Sequence, residues 1–132
     1  MADTVYTKND VITSFHTHPM SKNPLPEGLE DAFFESALAR YELEIKELDY
    51  DAETETINSY INRSVIYVLG ILMYCEYITR ELSRAEKLNG FHGKDIQMTG
   101  SGDSKRVTLA DLELELERSE LLFHKLKIHA YN

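Results

Sequence analysis

A disulfide is the first thing this sequence rules out. The 132-residue chain has one cysteine, Cys75, so no intramolecular bridge can form. Cys75 lies in the most apolar run of the chain, where a thiol serves as a small buried hydrophobe and is inert. Basic residues are scarce too, 14 against 23 acidic, for a formal charge of −9. A face that grips a nucleic-acid backbone needs clustered Lys and Arg, so tight wrapping of DNA or RNA is disfavoured. A surface past which DNA slides without sticking is compatible with that balance. No apolar run approaches the ~20 residues that cross a bilayer; the longest, Val65 to Cys75, is flanked by Arg63 and Glu76. The opening MADTVYTKND has neither the basic nor the apolar region of a secretory signal. The expectation is a protein that is soluble and intracellular when made, without membrane contact. Phosphate-loop chemistry is missing as well. "GSGDSKRVT" lacks the order GxxxxGK[ST] and follows no buried parallel strand.

What the sequence does contain is 42% apolar and 28% charged residues, the composition of one folded domain with a single ordinary core. Residues 1–25 hold two of the three prolines and a cluster of Ser, Thr, Asn and Lys. They read as an extended N-terminal arm with at most a short helical turn from Asp10 to Phe15. The remainder, 26–132, reads as a mainly α domain: a three-helix bundle with a long central helix and one protruding β-hairpin.

The first helix follows Pro26, with Glu27, Glu30 and Asp31 at the positive end of its dipole. Leu29, Phe33, Phe34, Ala37, Leu38, Tyr41, Ile45 and Leu48 recur at three- and four-residue intervals, one apolar stripe on a helix running to about Leu48. After a short break at Asp49-Tyr50-Asp51, a long helix is expected from about Glu53 to Leu88, stopped by Asn89-Gly90. Its middle, VIYVLGILMYC, is apolar almost all round and must be surrounded by other helices or subunits. Gly70 inside it costs ~1 kcal/mol relative to Ala, in return for either a close backbone approach or a mild bend. Beyond Tyr77 the helix turns polar.

The pattern then changes. "DIQMTGSGDSKRVT" sets Ile96 and Met98, then Val107, on either side of a Gly-rich polar turn, which predicts a hairpin over about 94–108. A lone two-stranded hairpin is marginal in water, so Ile96, Met98, Ser101, Asp103, Lys105 and Val107 become candidate contacts with a neighbouring subunit. Thr108 caps the last helix, with Asp111 three residues on. Leu109, Leu112, Leu116, Phe123, Leu126 and Ala130 make one apolar stripe along it. Leu114, Leu121 and Ile128 make a second, at spacing seven. Two stripes on one helix mean two partners.

"FHTHP", Phe15 to Pro19, is the one metal-like motif. It is similar to the His-Ser/Thr-His-Pro motif of JAMM-type zinc hydrolases, in which both histidines bind zinc. Zinc catalysis needs three protein ligands and an open position. Beyond these letters the match fails: no Glu precedes His16, and MSKNPLPEGLED lacks the family's downstream serine spacing. His16 and His18 are therefore expected to be surface imidazoles, as are His92, His124 and His129. No catalytic residue, cofactor or metal is expected.

The layout of arm, helix, long central helix, hairpin and final helix resembles the head–tail connector (adaptor) proteins of tailed bacteriophages. The residues that carry the resemblance are YVLGILMYCEYITRELSRAEKLNG followed by KDIQMTGSGDSKRVTLADLELELERSELLFHKLKIHAYN. It covers about Leu29 to Asn132 and is one of architecture and texture. It implies a structural virion protein of the neck, made in the host cytoplasm, that forms a homo-oligomeric ring of twelve. The hairpin would be lent from subunit to subunit. The final residues, Lys127, Ile128, His129, Ala130, Tyr131 and Asn132, would dock on the portal, with a tail-side stopper or tail-terminator protein below and DNA passing the lumen without tight binding. The alternatives are a small helical regulatory or scaffolding module and, remotely, the JAMM-like zinc hydrolase built on His16 and His18.

Overall fold

The computed structural model of the chain describes residues 5–18, 25–59, 61–92 and 109–131, with side chains for 5–18, 25–59, 61–85 and 110–127. Its architecture is mainly helical. Strand β1 (Tyr6–Thr7) leads into helix α1 (Lys8–Phe15). Helix α2 (Leu29–Glu44), strands β2 (Tyr50–Asp51) and β3 (Thr56–Ile57), and helices α3 (Arg63–His92) and α4 (Leu109–Tyr131) follow. Helix α3 is the axis, and α1, α2 and α4 all pack on it.

The expected stripe of α2 is the one that folds inward. Phe33, Phe34, Ala37, Leu38 and Tyr41 are buried on α2, Ile45 and Leu48 are buried just beyond it, and Leu29 is partly buried. The helix itself ends at Glu44, because Ile45 leaves helical geometry (φ −120°, ψ −73°). Leu48 still reaches the core along extended chain, its amide donating to a Glu42 carboxylate oxygen at 3.0 Å. The middle of α3 is enclosed as its composition requires: Ile66, Val68, Leu69, Ile71, Leu72, Met73, Tyr74, Cys75, Tyr77 and Ile78 are all buried.

Three expectations need correction. The first concerns the N-terminus: residues 5–18 are not an extended arm. Thr7 caps α1 in a reciprocal capping box, accepting from the Asp10 amide (3.2 Å) while the Asp10 carboxylate accepts from the Thr7 amide (2.8 Å). That satisfies two otherwise orphaned donors of a short helix. Val11 and Phe15 on its inner face are fully buried. The described residues therefore contain four helices, not three.

The second correction concerns the start of the long helix, which is Arg63 and not Glu53. Residues 50–57 instead turn back on themselves. β3 is the central strand of a small antiparallel sheet in the order β1-β3-β2, pairing Tyr6 and Tyr50 with Ile57, and Thr7 and Asp51 with Thr56. Glu55 takes a left-handed conformation (φ 57°) in the turn, and the Asp51 side chain accepts from the Glu53 amide at 2.9 Å. A hairpin this small persists because Ile57 is buried beneath it and β1 supplies its third strand,.

The third concerns the far end of α3, which runs through Asn89-Gly90 to His92. A glycine costs a helix about 1 kcal/mol but does not forbid it. The expected hairpin at 94–108, with Ile96, Met98, Ser101, Asp103, Lys105 and Val107, lies outside the described residues, as do Thr108 and Asn132.

Gly70 marks a close approach. A Cβ placed there would meet Ser14 Oγ at 2.5 Å, Ser14 Cβ at 2.9 Å and the Phe15 amide nitrogen at 3.2 Å. Helix α1 therefore crosses α3 at a point where no side chain fits.

Candidate interaction surface

Helix α4 is held by one face and shows the other. Phe123 is fully buried and Ser119 nearly so, while Leu112, Leu116 and Leu126 are partly buried against the core. Leu112, Leu116, Phe123 and Leu126 belong to the first of the two expected stripes; the side chains of its other members, Leu109 and Ala130, lie outside the described residues.

Charge fixes the helix as well as apolar packing does. The Arg40 guanidinium of α2 grips Glu120 of α4 through two parallel bonds, Nη1 to Oε2 at 2.8 Å and Nη2 to Oε1 at 2.6 Å. Its Nε donates to Glu44 at 2.8 Å, and Lys127 Nζ reaches the other Glu44 oxygen at 3.2 Å. The same guanidinium lies 4.7 Å from the centroid of the Phe123 ring. Two cations thus face two carboxylates, with the planar fork of Arg matched to a planar carboxylate. The bonds from Arg40 hold the Glu120 carboxyl below its ordinary range, and Glu44 is lowered by Arg40 first and by Lys127 as well. Arg40 is raised in turn, chiefly by Glu120.

Next to this clamp, burial pushes the Cys75 thiol up to about 12, and the Glu120 carboxylate adds to the effect. That matches the expected inert, buried cysteine.

The second stripe of α4 has no cover from the described core. Leu114 is 47% exposed and Leu121 55%, with Leu122 beside them at 36%. With 3.6 residues per turn, Leu114 and Leu121 fall on the side of α4 opposite Phe123. The side chains of Ile128, His129, Ala130 and Tyr131 lie outside the described residues, although their backbone continues the helix. Lys127, the first residue of the expected docking segment, is tied inward to Glu44.

Sequence reading missed Leu122 and the clamp. It also missed Leu43 of α2, which is 86% exposed and directly precedes the clamp residue Glu44. Arg40 and Glu44 stand one turn apart, the spacing of a helical ion pair, but no local pattern announces a partner 80 residues away at Glu120.

The FHTHP motif is divided among structural tasks. Phe15 is core. His16 Nε2 pairs with Glu30 at the start of α2. Thr17 Oγ1 donates to the Ser14 carbonyl at 2.6 Å, closing α1. His18 stacks on Tyr74, with ring centroids 4.7 Å apart and planes inclined by 22°. The two imidazoles are thus engaged with different elements, one with α2 and the other with α3. Among the described residues no group of three or more His, Cys, Asp or Glu is placed to hold a metal ion, and no helix is long and apolar enough to cross a membrane.

Comparison with protein-family models, with curated proteins and with solved structures returns no match.

Proposed function

We propose that this chain is a structural, non-catalytic subunit of a bacteriophage head–tail connector, assembling as a ring between portal and tail. The observation that carries the reading is the two-sidedness of α4. Phe123 and the Arg40 clamp fasten one side, while Leu114 and Leu121 stand exposed seven residues apart on the other. A helix face that keeps large apolar side chains in water after folding is a surface awaiting another chain. In a cyclic assembly each subunit offers one face to a different face of the next, and the exposed stripe supplies one of them. The segment 94–108 is the second element shared between neighbours, and residues 128–132, continuing α4 beyond the clamp, dock on the portal. The resemblance sets the ring at twelve subunits. The excess of acid, −9 per chain, keeps passing DNA from being retained.

The test is assembly on a portal. Mixed with the portal of its own phage, the chain should form a stoichiometric complex visible as a ring by negative-stain imaging. Removing residues 128–132 spares Leu126 and Lys127, so it should abolish docking while leaving helix content nearly unchanged. A chain that never joins a portal, or one that docks equally well without those residues, overturns the proposal.

A further inference from the structure

We propose that residues 5–18, which carry β1 and α1, are exchanged between two copies of this chain, each segment filling in its partner the place that it fills in the closed molecule. The structure names the occupant, because that place is already filled by this sequence. β1 pairs with β3, and the Lys8 amide donates to the Glu55 carbonyl at 2.9 Å. Lys8 Nζ reaches Asp31 at 2.6 Å and Glu55 at 3.6 Å. Phe15 is fully buried between Phe33 and Tyr77, and α1 crosses α3 where Gly70 leaves room. Inside the segment the hydrogen bonds are local: the capping box of Thr7 and Asp10 and the turns of the helix. It is a complete element, held to the rest of the molecule by a strand edge, by side chains and by one covalent connection.

That connection is long for what it spans. His16 and Glu30 are hydrogen-bonded although 14 positions apart, and a chain of that length reaches roughly 45–50 Å when extended. It carries Pro19, Pro24 and Pro26, a composition that favours extended chain over a compact return. Leu25 on it is only partly buried. The return into α2 depends on one turn, in which the Leu29 amide donates to the Pro26 carbonyl at 3.1 Å and Gly28 is left-handed at φ 85°. Glycine takes that geometry without steric cost, and a side chain does not. Exchange keeps every contact of the segment and alters only this connection, which makes it a low-cost route to a dimer. The tether holds the segment at an effective concentration of about 1 mM. The closed monomer therefore prevails in dilute solution, and exchange grows with concentration. The inference does not rest on the connector reading.

Refolding the intact chain from urea at about 1 mM, near that effective concentration, should leave a dimer fraction visible by sedimentation velocity. The dimer should persist on dilution, because Val11 and Phe15 must leave the core before either copy can reclose. Gly28→Val penalises the turn that only the closed form needs, and a Cβ there meets nothing within 4 Å. It should raise the dimer fraction several-fold at unchanged helix content. Charge reversal then identifies the exchanged contact. Lys8→Glu sets acid beside Asp31 and Glu55 of its own chain, and Asp31→Lys/Glu55→Lys sets base beside its own Lys8. In an exchanged heterodimer of these two variants both clusters are complementary again, which no dimer through another surface achieves. Co-refolding the mixture should give about tenfold more dimer than either variant alone. Three results overturn the proposal: intact chain and Gly28→Val both wholly monomeric after refolding, Gly28→Val no more dimeric than the intact chain, or a charge mixture no more dimeric than its components. If a charge variant fails to fold alone, the mixture still decides, since a folded heterodimer upholds exchange and two unfolded chains overturn it. Portal docking is scored separately, so either idea can fail without the other.

Discussion

Gly70 shows how a single missing carbon sets a helix crossing. In an exposed helix, Gly→Ala stabilises by about 1 kcal/mol. Here the added methyl would stand 2.9 Å from Ser14 Cβ and 3.2 Å from the Phe15 amide. Ser14 Oγ can rotate away, but the backbone of α1 cannot. Gly70→Ala should therefore lower stability by about 1–3 kcal/mol, the scale of an overpacked core, read as a drop in urea midpoint at unchanged slope. A gain in stability would mean that α1 sits farther from α3. Cys75 offers a second residue-scale check. Its thiol is buried and pushed up to about 12, so a thiol-specific reagent at neutral pH should label it only as fast as the protein unfolds. Because its folded pKa is raised, this group's stabilising contribution is complete below the unfolded thiol's ordinary value. It fades as pH climbs from there toward 12.

The elements differ in how much of themselves they display in sequence. The inward face of α2, the enclosed middle of α3 and the two stripes of α4 follow from spacing, because an apolar period sustained over many turns has few other meanings. Helix α1 is too short for a period to establish itself: in eight residues only Val11 and Phe15 are fully buried, next to a polar, proline-bearing stretch. The strands are two residues each, too short to alternate, and Glu53 and Glu55 between β2 and β3 read as helix formers. Both were settled by tertiary contact, β1 completing the sheet and Phe15 filling the space between α2 and α3. Phe15 packs edge-on against Phe33 and Tyr77, with centroids 6.1 and 6.3 Å away. Phe15→Ala should consequently cost about 3–5 kcal/mol, against almost nothing for a residue in a loose arm. Thermal unfolding distinguishes the two directly, and a shift of under one or two degrees would return residues 5–18 to the status of an appendage. The candidate surface was legible in the same uneven way. Leu114 and Leu121 were visible as a seven-residue repeat, whereas the clamp that turns them outward joins positions 80 apart and leaves no periodic trace.

At the scale of the whole molecule, the Arg40 clamp is where the pH response should concentrate. It joins α2 to α4 across the bundle, and its two carboxylates, Glu44 and Glu120, are both held below their ordinary range by Arg40. A carboxylate lowered in the folded state contributes stability above its unfolded pKa, and loses it as pH falls through the folded value. Two trends therefore compete on acidification. As the pH falls the net charge of −9 shrinks, which reduces self-repulsion. Below the ordinary carboxylate range the clamp is neutralised and stability declines. Arg40→Met separates the two, since it removes the guanidinium both from the two carboxylates and from the face of Phe123, and only the first loss depends on pH. At pH 7 the variant should be less stable by about 1–2 kcal/mol, the scale of charge-assisted hydrogen bonds at a partly exposed site. That gap should narrow as pH drops below the carboxylate range, because the wild-type advantage is what protonation removes. Lys127 retains its hold on Glu44 in the variant, so a smaller acid-dependent slope should survive until Lys127→Met is added. Chemical denaturation of the three proteins between pH 7 and pH 3 provides the measurement. A constant difference across that range would mean that Arg40 acts through packing on Phe123 and not through its carboxylates, and α4 would then be held by its apolar stripe alone.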